Sequence, residues 1–374
     1  MRILYTYSSL AVWGGVERVF VDKMNYLATQ KGYDVFMLTT CQGRHLVPYV
    51  LNDRIHLADI GIQFHKQYQY ASLRRLADHY RRINLFEKRF REKVLEICPD
   101  IIICTTADPV RSITKVKGRI PLIVESHSSY LAESFEKKSI FSKLNSYVNR
   151  LLLHNASGIV ALTKQDAVNW RKVNAFVSVI PNIVHLNDTG TYSDCNSNHV
   201  IFVGRITYQK GIDALIKVWS IVQKKHSDWI LDIYGEGELK EYYKKVIEEL
   251  DINIVIHHPE STILQRYCDS SILLLTSVYE PFGLVMPEAM SCGLPVVAFD
   301  CPYGPADIIT DGVDGFLVKN RDINEFADRV CQLIEDRELR VRMGQAAVKS
   351  AQRYRADLIM PKWKELFERL CRKE

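Results

Sequence analysis

The chain has no apolar run of 18 or more residues, so nothing in it reads as a membrane-spanning helix. Its start, Met1-Arg2-Ile3-Leu4-Tyr5, is strand-like at once. It lacks the charged, apolar and small-residue zones of a secretion signal. No two cysteines are spaced C-x-x-C, and the nine present are scattered and odd in number. That argues against a zinc site and a disulfide framework, and for reduced thiols in a cytosolic protein. Asn155-Ala156-Ser157 fits a glycosylation sequon, but without a secretion signal it reads as incidental. There is no low-complexity tract and no short internal repeat. Hydrophobic residues make up 47% and charged residues 25%, a profile that excludes a disordered or collagen-like chain. A length of 374 residues favours two domains over one.

What is present is an alternation of strands and helices. Ile3–Tyr7 reads as a buried strand and Val16–Lys31 as a helix with apolar residues at Val16, Val19, Phe20, Met24 and Leu27. Gly32 ends it, and Val35–Thr39 is the next strand. Apolar runs at Ile101–Cys104, Leu122–Val124, Gly158–Ala161 and Val177–Ile180 follow. Polar, turn-forming residues then fill His185 to His199. A second series of strands begins at Val200–Val203 and continues at Trp229–Tyr234, Asn253–Ile256, Ser271–Leu275, Pro295–Phe299 and Gly315–Val318. Ala356–Arg372 is the last helical stretch. This is the βαβα pattern of parallel sheets covered on both faces. The expected fold class is α/β, with two Rossmann-like domains in tandem. The expected bounds are 1–183 for the first domain, 184–198 for a linker, 199–355 for the second domain and 356–374 for a terminal helix.

Four clusters sit where strands run into helices, the place where open α/β sheets bind ligands. Trp13-Gly14-Gly15-Val16-Glu17-Arg18 follows the first strand. Adjacent glycines allow close backbone approach, and free N–H groups at a helix start attract anions. The string is not a G-x-G-x-x-G fingerprint, and a plain tight turn explains it equally well. Gly204-Arg205-Ile206-Thr207-Tyr208-Gln209-Lys210-Gly211 puts two cations where a helix begins, which suits a diphosphate; two surface cations near a turn would look the same. The stretch from Ser277 to Met290 carries Glu280 and Glu288 eight residues apart around a Pro-Phe-Gly turn. A loop carboxylate can accept from sugar hydroxyls, and a helical one can grip two ribose hydroxyls. The N–H groups of Phe282, Gly283 and Leu284 can hold phosphate oxygens. Glu125-Ser126-His127-Ser128-Ser129 places a histidine at a strand's carboxyl end, where structural and catalytic readings are evenly matched.

In this order, Gly14-Gly15, His127, Gly204-Arg205 with Lys210-Gly211, and Glu280 with Glu288 resemble the family 4 retaining glycosyltransferases of the GT-B fold. Ile180-Pro181-Asn182, the run from Glu288 to Val297, and Asp300 to Gly315 extend the resemblance over nearly the whole chain. His127 is followed by two serines, a departure from the acidic or amide residue common in that family. The resemblance implies parallel sheets facing a central cleft, with a nucleotide sugar, a UDP-sugar, on the second domain. It implies that Arg205 and Lys210 neutralise the pyrophosphate leaving group. Glu288 would bind the ribose, Glu280 the sugar hydroxyls, and Gly15 would let its loop close over the phosphates. His127 would contact the donor sugar near the reacting carbon. Gly235, in Tyr234-Gly235-Glu236-Gly237, would lie near the nucleotide, and His258-Pro259 near the base. The terminal helix would cross back onto the first domain. The chain has no D-x-D triplet, so no metal and no other cofactor is expected. Two rivals are a UDP-sugar 2-epimerase of similar fold and a non-catalytic glycan- or nucleotide-binding subunit. The intact set of Arg205, Lys210, Glu280 and Glu288 favours the transferase.

The net charge of +5 hides an asymmetry. Residues 1–190 hold 26 Lys and Arg against 16 Asp and Glu, while residues 191–374 hold 23 against 28. His65–Lys93 holds nine cations and three acids, interleaved with Tyr68, Tyr70, Tyr80, Phe86 and Phe90. Such a stretch suits an anionic membrane surface and a lipid-pyrophosphate or glycan acceptor. A solvated helix face with its aromatics in the core is the plainer alternative. No nucleic-acid recognition motif accompanies it. The expectation is a cytoplasmic enzyme, peripheral at the inner face of the cell membrane, extending a surface glycan through an α-linkage.

Overall fold

A computed structural model describes residues 1–131 and 151–372. The chain divides into two compact units. One holds Met1–Ile183 and Ile359–Glu374, the other Val184–Leu358.

The first unit is built on seven strands: β1 (Arg2–Tyr7), β2 (Asp34–Thr39), β3 (Ile55–Asp59), β4 (Ile101–Thr105), β5 (Leu122–Ser126), β6 (Gly158–Ala161) and β7 (Val177–Val179). All pair in parallel, in the order β3-β2-β1-β4-β5-β6-β7. Strand order reverses between β1 and β4, the position at which open α/β sheets commonly hold ligands. β4 and β5 are buried at every position, as central parallel strands must be. β3 was not among the strands expected from the sequence. It is a five-residue edge strand with half-exposed residues, and its alternation is too weak to stand out.

Helices α1 (Gly15–Thr29), α2 (Ser72–Ile97), α3 (Val110–Val116) and α4 (Lys164–Trp170) cover this sheet. Val19, Phe20, Met24 and Leu27 bury one face of α1, and Lys23 is buried within that stripe. α2 is divided along its length. Phe86, Phe90 and Val94 enter the core, and Arg89 Nη1 donates to Ile60 O at 2.5 Å. Its first turns instead expose Leu73, Leu76 and Tyr80.

The second unit holds β8 (His199–Val203), β9 (Ile230–Tyr234), β10 (Ile254–His257), β11 (Ile272–Leu275), β12 (Val296–Phe299) and β13 (Gly315–Val318). Their order is β10-β9-β8-β11-β12-β13, again parallel, with the reversal between β8 and β11. α5 (Ile212–Lys225), α6 (Lys240–Leu250), α7 (Ile263–Cys268), α8 (Val285–Ser291), α9 (Gly304–Ile308), α10 (Ile323–Glu335) and α11 (Arg337–Ala351) complete it. Asp322 and Asp336 cap α10 and α11, accepting from Glu325 N at 3.0 Å and Leu339 N at 2.8 Å. Trp219, Phe202, Phe299 and Phe326 centre its core.

Residues 184–198 were read as a linker. In the structure they pack onto the second unit. Asn187 N donates to Ser291 Oγ at 2.9 Å, and Ser193 N to Cys292 O at 2.8 Å. The Arg340 guanidinium donates to Cys195 O. Few apolar residues occur here because the backbone is held by hydrogen bonds instead.

α12 (Ala356–Cys371) belongs from Ile359 onward to the first unit. There Trp363 is buried, Lys364 Nζ donates to Gln30 Oε1 at 3.0 Å, and Arg369 Nη2 to Ser178 Oγ at 3.2 Å. All nine cysteines are free.

Candidate active site

The switch point of the second sheet brings two loops together. The loop after β8 contains Gly204, Arg205 and Lys210, the last in a 3-10 turn over Tyr208–Lys210. Gly211 then takes φ +66 and opens α5. A Cβ there would lie 2.1 Å from Thr276 O, so only glycine fits between the two loops. The loop after β11 carries Ser277 and Glu280. Lys210 Nζ lies 2.5 Å from Glu280 Oε2, with the two side chains 13% and 7% exposed. Ser277 Oγ donates to the same oxygen at 3.1 Å.

Glu280 is also fixed through its backbone. Its N–H donates to Pro302 O at 2.6 Å, and its carbonyl accepts from Tyr303 N at 2.9 Å and Gly304 N at 2.8 Å. Burial, with the Glu280 charge nearby, pushes the Cys301 thiol well up. Ser277 and residues 302–304 were not read as site residues. Ser277 lies three positions before Glu280 and offers no pattern of its own.

Arg205 is exposed, and its Nη2 donates to Gln209 Oε1 at 3.4 Å. Glu288 is buried on α8. No backbone carbonyl among the described residues accepts from the N–H groups of Phe282, Gly283 or Leu284. Gly283 takes φ +89, and a Cβ on it would lie 2.6 Å from Met286 Cε.

Gly235 has a packing role. Its Cβ would fall 2.0 Å from Gly204 O, and the two loops are joined by Gly204 N to Tyr234 O at 3.1 Å. His258 is exposed and pairs through Nδ1 with Glu236 Oε1 at 2.7 Å, an oxygen shared with Lys240.

The first unit presents a second polar cluster. Gly14 caps α1, and a Cβ on it would lie 2.1 Å from Glu17 Oε2. Glu17 therefore folds back over the helix start, where it also accepts from Tyr7 Oη at 3.2 Å. A carboxylate, favoured there by the helix dipole, stands at the helix start that the sequence suggested for an anion. Gly15 is exposed at the first position of the helix.

His127 Nε2 lies 2.9 Å from Glu125 Oε2, which also pairs with Lys23. Burial alone would raise the Glu125 carboxyl. The Lys23 charge and the His127 hydrogen bond outweigh it and hold the carboxyl low. Burial depresses Lys23 against the pull of Glu125. Neither Glu125 nor Lys23 was singled out from the sequence, though a lysine inside the apolar stripe of α1 was the visible signal.

Asp108, after β4, accepts from Thr105 N at 2.7 Å and Thr105 Oγ1 at 2.8 Å. Burial raises its carboxyl to about 7, against these bonds. Among the described residues, no group of three or more His, Cys, Asp or Glu is placed to hold a metal ion.

Known proteins resemble this chain in both halves. Residues 13–188 match Glycosyltransferase Family 4, and residues 191–350 match the glycosyl transferases group 1. An uncharacterized glycosyltransferase of Haemophilus influenzae is 28% identical over 94% of this chain and 95% of its own. A poly(ribitol-phosphate) alpha-N-acetylglucosaminyltransferase of Staphylococcus aureus is 33% identical over 63% of this chain. The match spans only 48%, about half, of that relative's length. The crystal structure of a TarM variant from S. aureus, in complex with fondaparinux, alpha-GlcNAc-glycerol and UDP, matches with a TM-score of 0.80. It is 18% identical and covers 98% of this chain and 99% of that one.

Proposed function

The chain belongs to the family 4 type of glycosyltransferases with the GT-B fold, and from that premise we propose the reaction it runs. It moves a hexosyl or N-acetylhexosaminyl group from a UDP-sugar to a lipid-linked or polysaccharide acceptor of surface glycan synthesis. The new bond is α-glycosidic, formed with retention. One observation carries the reading: Lys210 and Glu280 meet at the switch point of the second sheet, with Arg205 exposed on the same loop as Lys210.

The chemistry follows from the charges. Breaking the bond between the anomeric carbon and the diphosphate leaves negative charge on the phosphate oxygens. Arg205 offers a planar donor fork, and Lys210 a compact ammonium. Both stabilise charge as it develops. Glu280, an acceptor-only carboxylate, takes hydrogen bonds from sugar hydroxyls. Glu288 serves the ribose, the N–H groups of Phe282, Gly283 and Leu284 the phosphates, and His258 the base. His127 makes a hydrogen bond to a sugar hydroxyl. The acceptor hydroxyl attacks from the face the diphosphate leaves. Its proton passes to the departing phosphate oxygen, so no separate base is required. No metal is assigned a role.

The names of relatives support this in part. The S. aureus relative is an alpha-N-acetylglucosaminyltransferase acting on a polymer, and TarM was crystallised with UDP. The exposed start of α2, with Leu73, Leu76 and Tyr80 beside Arg74, Arg75 and Arg81, supports peripheral binding to an anionic membrane.

The test is a panel of UDP- and GDP-sugars with lipid-linked and polymeric acceptors, read by nucleotide release and by the anomeric configuration of the product. UDP release with an α-linked product is expected. GDP release alone would overturn the donor, and a β-linked product would overturn retention.

A further inference from the structure

We propose that Ser277 is a positioning residue: together with Lys210 it occupies Oε2 of Glu280, so that Glu280 meets the donor sugar through Oε1 alone. The sugar contact rests on the transfer reaction proposed above; the orientation of the carboxylate does not.

Three neighbours fix that carboxylate. Ser277 is fully buried on the loop after β11, and its Oγ donates to Glu280 Oε2 at 3.1 Å. Lys210 Nζ reaches the same oxygen from the β8 loop. Gly283 leaves the space in which the side chain lies, since a Cβ there would fall 2.9 Å from Glu280 Cγ and 3.5 Å from Cδ. The backbone of Glu280 is already engaged: its N–H donates to Pro302 O, and its carbonyl accepts from Tyr303 N and Gly304 N. Oε1 accepts no hydrogen bond among the described residues. Unlike Glu125 Oε1, it is not sealed from solvent.

The residues beside Ser277 hold the other loop in the same frame. Thr276 Oγ1 donates to Lys210 O at 3.1 Å, and Val278 N donates to Gln209 O at 2.8 Å. Residues 276–278 thus anchor both the Lys210 backbone and the Glu280 carboxylate. Lys210 alone would not set the carboxylate's angle. An ammonium is a compact charge with rotatable donors on a flexible stem, and it accommodates either carboxylate oxygen. Serine has one O–H donor on a short side chain, so its bond selects one oxygen. Without it the carboxylate is free to turn about its last torsion, which is broad and roughly two-fold. Oε1 would then no longer be reserved for the sugar. Loss of alignment is costly, because a misplacement of about 1 Å can slow a reaction about 10²-fold.

The experiment compares the full chain with Ser277→Ala and Ser277→Cys. Cysteine keeps the volume but is a weak donor, so it separates hydrogen bonding from packing. In both variants kcat for transfer should fall about tenfold, as expected for one lost hydrogen bond to a charged group. Affinity for UDP, measured by calorimetric titration, should stay unchanged, because UDP carries no sugar. Crystal structures of the variants should show the Glu280 carboxylate rotated. The double variant Ser277→Ala/Glu280→Gln should be no slower than Glu280→Gln alone, because both changes act on one contact. A merely structural serine would lower UDP affinity as well, and its loss would multiply that of Glu280→Gln. Either of those results overturns the proposal. So does an unmoved carboxylate, or wild-type transfer by Ser277→Cys beside a slow Ser277→Ala. A rotated carboxylate with wild-type transfer in both variants would instead overturn the sugar contact of Glu280, with the orienting role of Ser277 still standing.

Discussion

Lys210 on the β8 loop and Glu280 on the β11 loop bring opposite charges to 2.5 Å across the reversal of the second sheet. Each is therefore satisfied by the other, and a diphosphate must compete with Glu280 for the ammonium. This coupling makes the two residues energetically inseparable.

Lys210→Ala and Glu280→Ala should each reduce transfer by about 10²–10³-fold, the usual loss when one transition-state charge contact is removed. They should differ in stability. Removing one partner of a buried pair costs about 3–5 kcal/mol when both ions are fully buried. Lys210 is 13% exposed and can reach water, so Glu280→Ala should fall below that range. Lys210→Ala strands the better-buried carboxylate and should melt lower. Initial rates and thermal melts of the two variants check both points. Near-normal turnover in both would sink the site.

Asp108 gives a stability effect of unusual sign. Its folded carboxyl is raised to about 7 by burial, above the ordinary carboxylate range. Between about pH 4 and pH 7 the folded state then binds more protons than the unfolded one. Stability from this group is present at the acid end and lost as pH rises to about 7, by at most about 1.4 kcal/mol per pH unit. Asp108→Asn keeps an oxygen to accept from Thr105 and removes the titration. Thermal melts from acid to neutral pH should be flatter for the variant than for the wild type. Parallel curves would show that Asp108 is ionised throughout.

The strand–helix alternation was readable because central parallel strands are buried on both faces. Runs such as Ile101–Cys104 and Val296–Phe299 are apolar without interruption. β3 carries no such run, because an edge strand needs none. Arg205, Lys210 and Glu280 were legible as charges at strand ends. Their mutual pairing was not, since it depends on two loops 70 residues apart meeting. The same holds for Lys23 and Glu125, 102 residues apart. Gly235 reads from the sequence as a residue near the nucleotide, and the structure adds that it makes room for Gly204 O. Gly14 likewise makes room for Glu17.

Gly235→Ala tests that packing role. The new Cβ would meet a backbone carbonyl 2.0 Å away, and a backbone cannot turn aside as a flexible side chain can. The β8 loop must shift, carrying Arg205 and Lys210 with it. UDP affinity should fall by about tenfold, or about 1.4 kcal/mol, while circular dichroism stays unchanged. Calorimetric titration with UDP measures it. Unaltered affinity would mean that the loop absorbs the shift without moving its cations.

The basic helix makes its own prediction. Of the nine cations from His65 to Lys93, two serve the fold: Arg82 donates to Ile62 O at 2.8 Å and Arg89 to Ile60 O at 2.5 Å. Arg74 and Arg75 lie over Tyr70 and Tyr68, at 4.5 and 4.3 Å, and remain exposed. Leu73, between them and the helix start, is 83% exposed. A basic residue near an anionic leaflet contributes about 1 kcal/mol. Reversing Arg74 and Arg75 to glutamate should therefore weaken vesicle binding by roughly 4 kcal/mol, enough to abolish flotation. Leu73→Ser/Leu76→Ser should lower binding at high salt most, because only the apolar part survives screening. Transfer to a soluble acceptor should stay unchanged in both variants. Flotation with vesicles rich in anionic lipid, compared with neutral ones at low and high salt, is the measurement. Equal recovery on both vesicle types would show that α2 is a solvated helix end and not a membrane contact.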